Sequence, residues 1–440
     1  MKSSCCGVLC SRGSCSSGDG MLTIRRRPSR RLHATLPKTF ATTLVLILVV
    51  LALALNRSTA LKVPSVRRSA TSINDAASEP AWAVQQNQKI DPQDPPGTQD
   101  RATSRVIVIG AGYSGLSAAC ELRRLGHDVL VLEKNDYVGG RAHQFEVKAD
   151  NGQTFKFDAG PSWYWMPEVF DRFFARYGRK VEEFYTLERL DPAYRIIRSE
   201  EEATLDVPGA SEEAFLSWAR KLEGESKGGL LDRMMDEAKE KYEEGIFKWI
   251  WHPMVSIWEM VDFNLMRAPF QYDMFNGYLA HLQKYISNSD LLTALKWPVI
   301  FLGASPHSAP AMYSLMTYGG HALGTYYPSG GLSRPVMAMA ELAEELGAEI
   351  RLNAEVDHFE LDESGQGIRA VCMSDGSCVE GSGVVASADY HHVEQNLLPP
   401  HLRRYSEAYW DSQIMSPSCL LFYLGFDRSI NGLLHHTFFF

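Results

Sequence analysis

The stretch Arg105-Val-Ile-Val-Ile-Gly-Ala-Gly-Tyr-Ser-Gly-Leu-Ser-Ala-Ala119 constrains this chain more than any other. Four consecutive β-branched residues, Val106 to Ile109, read as a buried strand. A glycine turn follows at once, then an alanine- and leucine-rich segment that reads as a helix to about Leu125. A second apolar run, Val129 to Leu132, ends on Glu133, 18 residues after Gly115. Strand, GxGxxG loop, helix and a second strand closed by an acid make the dinucleotide-binding pattern. Gly110 is expected to make the tight turn and Gly112 to let a pyrophosphate approach the backbone. Gly115 lets the helix pack on the strand. The helix N-terminus offers free N–H groups and a positive dipole end, worth about 0.3–1 kcal/mol towards an anion and up to ~2 when partly buried. Glu133 is placed to accept hydrogen bonds from ribose hydroxyls. It would repel a 2′-phosphate, which argues against NADP. The alternative is a glycine-rich turn that merely closes a βα unit, but three glycines weaken strand and helix unless a ligand requires close approach.

At 440 residues the chain is expected to hold two domains. Its net charge of −9 is uneven. Residues 1–74 carry 12 Lys and Arg against one acid, Asp19, which leaves 32 basic and 52 acidic residues, a balance of −20, for the remainder. An acidic body argues against nucleic acid as a partner. The basic N-terminal piece reads as an address. Ala41 to Leu55 is apolar apart from Thr42 and Thr43. As a helix these 15 residues would span about 22 Å, short of the ~30 Å hydrocarbon core. Length therefore favours a signal-peptide core, with Ser58-Thr59-Ala60 supplying small residues for cleavage. A start at Met21 gives a more ordinary basic region than one at Met1. Leu61 to Ser72 is rich in Ser and Arg, without an acid until Asp75. A signal peptide followed by a transit-like segment is the pattern of import into a plastid bounded by extra membranes. A retained anchor at residues 41–55 and secretion are the alternatives. Residues 73–104, rich in Gln, Asp, Pro and Ala without periodicity, read as a disordered linker.

Four of the eight cysteines lie in the leader, and Cys120, Cys372, Cys378 and Cys419 are scattered through the body. Without a CxxC or a disulfide framework, the globular part reads as a reduced-compartment protein. His391-His392 and His435-His436 invite a metal reading. Each pair is expected at or near a strand, where neighbouring side chains point to opposite faces, so no metal site is expected.

After Glu133 come Gly139-Gly140-Arg141-Ala-His143 and Phe157-Asp158-Ala-Gly160-Pro161-Ser162-Trp163-Tyr164-Trp165. Two glycines permit close approach to a pyrophosphate, and a guanidinium grips phosphate bidentately. These elements resemble the FAD-binding segments of the amine-oxidase-like flavoproteins. More narrowly, Pro161-Ser-Trp-Tyr-Trp-Met-Pro167 and Leu190-Asp-Pro-Ala-Tyr-Arg195 resemble the bacterial-type phytoene desaturases and related carotenoid desaturases. The resemblance covers about residues 105 to 440. It resumes at Tyr327-Pro-Ser-Gly-Gly-Leu332, at Ala348 to Val356, and at Gly383-Val-Val-Ala-Ser-Ala-Asp389, where Ser387 replaces the family's more frequent Asn. It implies FAD held by Gly110, Gly112, Ser114, Gly115, Glu133, Lys134, Gly139, Gly140, Arg141, Gly160, Pro161 and Ser162, with Val356 contacting adenine through its backbone. The family's C-terminal flavin-contacting segment is expected beyond Phe440, so the sequence is expected to be part of a longer protein.

The expected fold is α/β, a Rossmann-like FAD domain with a nested α+β substrate domain behind an unfolded leader. Expected boundaries are a targeting segment at 1–60, the transit-like segment and linker at 61–104, cofactor-domain parts at 105–161 and 326–390, and a substrate and membrane-associating region at 162–325. A returning substrate-domain segment begins at 391. Within the substrate region, Ser211 to Glu223 and Leu230 to Glu244 read as amphipathic helices. Ile246 to Met260, rich in Trp and Met, reads either as an interfacial or tunnel-lining helix or as core.

The resemblance implies desaturation of a phytoene-like polyene, with a hydride passing to flavin N5 and a proton leaving the adjacent carbon. Each buried CH₂ of such a substrate is worth ~0.8 kcal/mol, so its concentration in water is negligible and it is expected to come from a membrane. Asp191 and Arg195 are the candidates for proton relay or cation stabilisation, beside the alternative of an ordinary turn ion pair. Trp163 and Tyr164 are expected to line the site or pack the core. Carotenoid isomerase, retinoid saturase and amine oxidase are alternatives on the same scaffold, and a non-catalytic membrane-associated fragment is a reading of another class.

Overall fold

The computed structural model describes residues 105–198, 203–251, 276–415 and 418–439. The expected leader, cleavage site, transit-like segment and linker lie outside the described residues, as does most of the Trp- and Met-rich stretch after Trp251.

The described residues begin with β1 (Arg105–Ile109), α1 (Tyr113–Arg124) and β2 (Asp128–Leu132). β1 and β2 pair in parallel, Ile107 opposite Leu130 and Ile109 opposite Leu132. A helix joins them because parallel neighbours need a crossover. Two later strands complete this sheet. β9 (Glu349–Arg351) lies parallel to β2, and β13 (Gly383–Ala386) lies parallel to β1. The order β13-β1-β2-β9 is a small Rossmann-like parallel sheet. Ile107, Val108, Val129, Leu130 and Val131 are fully buried. A parallel strand covered on both faces reads as a continuous apolar run, which is why the pattern does not alternate. Each such side chain contributes about 1.5–3 kcal/mol by burial. On one face, α1 meets α6 (Arg334–Glu345) through Leu116, Ala119 and Cys120 against Val336 and Met339.

The hairpin β3 (Gln144–Lys148) and β4 (Thr154–Asp158) branches from the first unit. The meander β10 (Val356–Leu361), β11 (Ile368–Met373) and β12 (Cys378–Glu380) closes over its other face. Phe359, Val371 and Met373 pack there with Ile107, Leu130 and Leu132. The Asp375-Gly376 turn, with Gly376 at φ +84°, sets Cys372 directly opposite Cys378. The two form a disulfide, with Cα atoms 4.0 Å apart. This corrects the expectation of scattered thiols: the turn makes cross-strand partners of residues six apart in sequence.

The nested region has a different grammar. It holds α2 (Pro167–Ala175), β5 (Leu187–Arg189), the antiparallel pair β6 (Tyr194–Arg198) and β7 (Ala203–Val207), α3 (Glu212–Glu223), α4 (Gly228–Phe247) and α5 (Ser289–Lys296). β8 (Tyr326–Pro328) returns the chain to β5, and β14 (Thr437–Phe439) joins β6 in parallel. The Ser211 hydroxyl caps α3 by accepting from Ala214 N–H, and the Asn288 side chain caps α5. In the middle of α4, Lys241 is 1% exposed. Its charge is met by the Glu237 carboxylate at 2.7 Å and the Ser314 hydroxyl at 2.9 Å, which is how a buried ammonium is tolerated. Among the described residues no helix is long and apolar enough to cross a membrane.

Candidate functional site

The loop after β1 is set by contacts that exclude side chains. Gly110 turns at φ +98° and donates its N–H to Leu132 O at 2.8 Å. A Cβ on Gly115 would lie 1.9 Å from the Gly110 carbonyl oxygen, so that position requires glycine. Gly112 differs from both. It is extended at φ −87°, and a Cβ there would meet no protein atom within 4 Å. Open space therefore lies over Gly112, at the start of α1. That helix has no side-chain cap and no acid in its first turn. Its leading N–H groups lack partners within the helix and present a positive end to this space.

A second loop closes over the first. Gly139 donates to Ala111 O at 2.8 Å, and the Gly140 Cβ position lies 3.6 Å from the Gly112 Cα. Both glycines have positive φ, +114° and +55°. His143 Nδ1 meets Gly140 O at 2.7 Å and its ring stacks on Tyr137, which steadies the loop. Arg141 is exposed beside it. A Cβ on Gly160 would lie 2.3 Å from Arg141 O, so the segment Gly160-Pro161-Ser162 runs against this loop. Ser114, Lys134, Gly160, Pro161 and Ser162 are exposed.

Glu133 is 5% exposed. Its Oε2 accepts from Ala111 N–H at 2.8 Å, and its Oε1 accepts from Asn135 N–H and Asn135 Nδ2 at 3.0 and 2.7 Å. Each carboxylate oxygen has two acceptor sites, so Oε2 retains capacity for a hydroxyl. The β9–β10 connection runs alongside: Glu133 N–H donates to Arg351 O, Ala354 N–H to Glu133 O and Asn353 N–H to Asn135 O. This brings Val356, 223 residues after Glu133, into one buried cluster with Ile109 and Leu132. At the same edge, Ser387 N–H donates to Ile109 O at 2.8 Å, and the Ser387 carbonyl carbon and oxygen back Gly110.

The predicted cofactor residues thus gather at the C-terminal edge of the parallel sheet. Sequence reading missed the ties that hold them. Asp158 accepts from Leu332 N–H at 3.0 Å and from Tyr327 OH, which pins the Tyr327–Leu332 segment to the cradle. Asn135 and Asn353, the latter at φ +54°, fix the turn around Glu133. An Asn two residues after the acid that follows the strand is the only local signal for this.

The proposed catalytic pair is not brought together. The Asp191 carboxylate accepts from Gly209 N–H at 2.9 Å. Arg195 makes a two-pronged ion pair with Asp206 at 2.6 and 2.7 Å and donates to Gly432 O at 3.0 Å. The turn ion pair expected between Asp191 and Arg195 is therefore replaced by two separate structural contacts, because β6 faces β7 across Arg195 and Asp206.

The histidine pairs also need correction. His391 and His392 sit in a short helix, Tyr390–His392. His435 and His436 precede β14 in a bend, and their Nδ1 atoms are 2.9 Å apart, so the opposite-faces argument fails there. Burial holds the His436 imidazole down to about 3, so it is neutral. Among the described residues, the one cluster of three side chains spaced for a metal is Glu360, Cys372 and Cys378, two of which form the disulfide.

Trp163 and Tyr164 have different settings. Tyr164 is 2% exposed, and its hydroxyl meets that of Tyr185 at 2.9 Å. Trp163 is half-buried among Trp165, Tyr194, Trp297, Phe301, His436 and Phe438, with ring centres 5.0 to 6.0 Å away. A separate apolar crevice of ≈ 220 Å³ is lined by Met166, Val169, Ile246 and Ile250.

The cradle fits a dinucleotide cofactor. The space over Gly112, the uncapped helix start and the spare capacity of Glu133 are what a pyrophosphate and a ribose require.

Comparison with known proteins agrees with this geometry. The pattern of the flavin containing amine oxidoreductases matches residues 113–437, and that of the pyridine nucleotide-disulphide oxidoreductases matches residues 49–154. A carotenoid 3,4-desaturase from Haloarcula japonica is 36% identical over 341 residues, covering 77% of this chain and 66% of the relative. A 4,4'-diapolycopene oxygenase from a Methylomonas species is 31% identical, covering 76% and 65%. A phytoene desaturase from Phycomyces blakesleeanus is 29% identical, covering 76% and 56%. The chain thus spans between 56% and 66% of the length of these three relatives.

Proposed function

Because this chain belongs to the flavin containing amine oxidoreductase family, whose cofactor is FAD, we propose that it is an FAD-dependent desaturase of a carotenoid precursor. The observation that carries the reading is the glycine cradle with open space over Gly112, in a chain 36% identical to a carotenoid 3,4-desaturase. FAD, when bound, supplies the acceptor for a hydride from the substrate. The protein's own part is to hold, orient and exclude water. Gly112 and the first turn of α1 would hold the pyrophosphate, Arg141 its charge, Glu133 the ribose, and the Val356 backbone the adenine. Gly160 to Ser162 lead from this cradle directly to Trp163 and the aromatic residues of the nested region. Desaturation removes two hydrogens from a –CH₂–CH₂– unit flanked by double bonds. The developing charge is allylic and is delocalised by the substrate itself, which reduces the need for protein acids and bases.

The substrate would be drawn from a membrane. The apolar crevice at Met166 and Ile246, and the exposure of Ile250, Ile300 and Phe301, favour a lipid surface as the source. The basic leader with its 15-residue apolar core favours import into a plastid, with an internal-membrane anchor at 41–55 as the alternative.

The test starts with the full-length protein. It should purify with a flavin spectrum and turn a colourless polyene in liposomes into a product that absorbs visible light. A flavin-bearing protein that leaves every such polyene unchanged would refute desaturation. A fluorescent protein fused behind residues 1–104 should enter plastids of a plastid-bearing cell, and retention at another membrane would refute the address.

A further inference from the structure

Four buried side-chain atoms among the described residues have no hydrogen-bond partner: His127 Nδ1, Trp163 Nε1, Trp297 Nε1 and His321 Nδ1. Three of the four surround one residue, Tyr194, whose ring centre lies 5.5 Å from Trp163, 5.2 Å from Trp297 and 6.1 Å from His321. Buried polar groups are nearly always paired, so three exceptions in one cluster require an explanation.

The surroundings narrow it. The Tyr194 hydroxyl donates to Ala294 O at 2.8 Å, and its oxygen, still free to accept, faces the Trp297 indole. That contact accounts for Trp297 and leaves Trp163 Nε1 and His321 Nδ1 as the two atoms of the cluster without a partner. His321 lies in a π-helical turn, Tyr318–Ala322, and is stacked on Phe215 at 4.3 Å. Such turns recur at functional sites. A Cβ at Gly320, just before it, would press on the Trp165 ring at 3.1 Å, so the turn is packed hard against the aromatic wall. The cluster is graded from floor to mouth. His321 and Trp297 are 3% exposed, while Phe301, edge-on to both Trp163 and Trp297, is 60% exposed. It also lies next to the cofactor cradle: Trp163 follows Ser162, and the His436 ring beside Trp163 reaches the Ser162 backbone.

An aromatic box is a usual host for a cation, but indole N–H groups are donors and an ammonium cannot accept from them. What they lack is an acceptor, carried on something apolar enough to enter between rings. We infer that this cluster binds an oxygen-bearing end of a polyene, a terminal hydroxyl or keto group, with Trp163 and His321 as the residues that select it. The inference rests on the proposed desaturase reading and narrows its substrate class from hydrocarbons to oxygenated polyenes.

The test uses the full-length, flavin-loaded protein and three polyenes of one chain length: a hydrocarbon, its terminal hydroxy derivative and its terminal keto derivative. Binding is read from the shift of polyene absorption and from quenching of tryptophan fluorescence, without turnover. Wild type should bind an oxygenated form about tenfold more tightly than the hydrocarbon, the discrimination expected from pairing one buried donor. Trp163→Phe keeps the ring and removes the N–H, and should bring that ratio to about one. Preference for the hydroxy form over the keto form would assign the neutral His321 as an acceptor, and equal preference would assign both groups as donors; either supports the site. No preference in wild type, or a ratio unchanged in Trp163→Phe, would overturn it and leave buried water as the partner. If Trp163→Phe does not fold, His321→Phe is read the same way. Loss of flavin or of all turnover would instead count against the desaturase reading, since the binding ratio is measured independently of both.

Discussion

The cofactor cradle and the aromatic cluster lie in one compact unit and are built in opposite ways. In the cradle, backbone meets backbone because side chains are missing: Gly115 on Gly110 O at 1.9 Å and Gly160 on Arg141 O at 2.3 Å for a notional Cβ. In the cluster, bulky rings meet rings at 4.1 to 6.1 Å. Contacts of the first kind, at Gly115 and Gly160, tolerate no added atom. The second tolerates exchange of one apolar group for another of similar volume. A substrate pocket built this way can change its ligand while the cofactor site stays constant.

The largest effect should come from Gly115→Ala. Its methyl group collides with the Gly110 carbonyl, so α1 must lift from β1. A loss of about 3 kcal/mol or more is expected, with no bound flavin, measured by thermal unfolding and by absorbance of the purified protein. A variant within about 1 kcal/mol of wild type would break the comparison. The matched change in the other region is Phe215→Leu, which removes the ring stacked on His321. It should cost about 1–1.5 kcal/mol in urea unfolding and leave flavin content unchanged.

A smaller effect is expected at the seam. The Glu121 carboxylate on α1 pairs with Arg124 and with Arg176, which follows α2. Hydrogen bonds from these two guanidinium groups hold it down to about 2, against an ordinary 4.5. An acid depressed by folding contributes stability above its unfolded pKa and loses it as the pH falls through the folded one. The window is therefore about pH 4.5 down to 2. With the Glu121 side chain 32% exposed and Arg176 55%, solvent screening reduces the contribution to about 1 kcal/mol. Wild type should lose that much more than Glu121→Gln between pH 6 and pH 2.5 in melting experiments. Equal losses would show that the Glu121 ion pairs add nothing to this seam.

The smallest change in stability sharpens the comparison most. Gly112→Ala meets no protein atom and has an ordinary φ of −87°, so unfolding should shift by less than about 0.5 kcal/mol. Yet the methyl group would occupy the space assigned to the pyrophosphate, and bound flavin should fall sharply. Retention of flavin would move the cofactor away from Gly112.

The cradle was legible because its causes are local. Gly110, Gly112, Gly115, Gly139 and Gly140 each answer to the conformation of a few neighbouring residues, and Val106 to Ile109 state their burial by composition. The Asp375-Gly376 hairpin was legible for the same reason, although its consequence, Cys372 facing Cys378, was not read from it. The ties of Asp158 to Leu332 and of Arg195 to Asp206 were hidden, since a carboxylate carries no sequence mark of which donor it will meet. The same limit misplaced His435 and His436, whose rings turn together where the chain bends before β14.

The sequence by itself determined the parallel βαβ unit, its anion-ready helix start and the acid at the end of β2, because turn geometry and strand burial are short-range matters of sterics and hydrophobicity. Only the tertiary structure decided which side chains share a space. Trp163, Tyr194, Phe215, Trp297, His321 and Phe438 come from segments up to 275 residues apart, and their rings meet because packing, not spacing, sets long-range contact. The unpaired ring nitrogens of Trp163 and His321 follow from that packing, so no local pattern announces them.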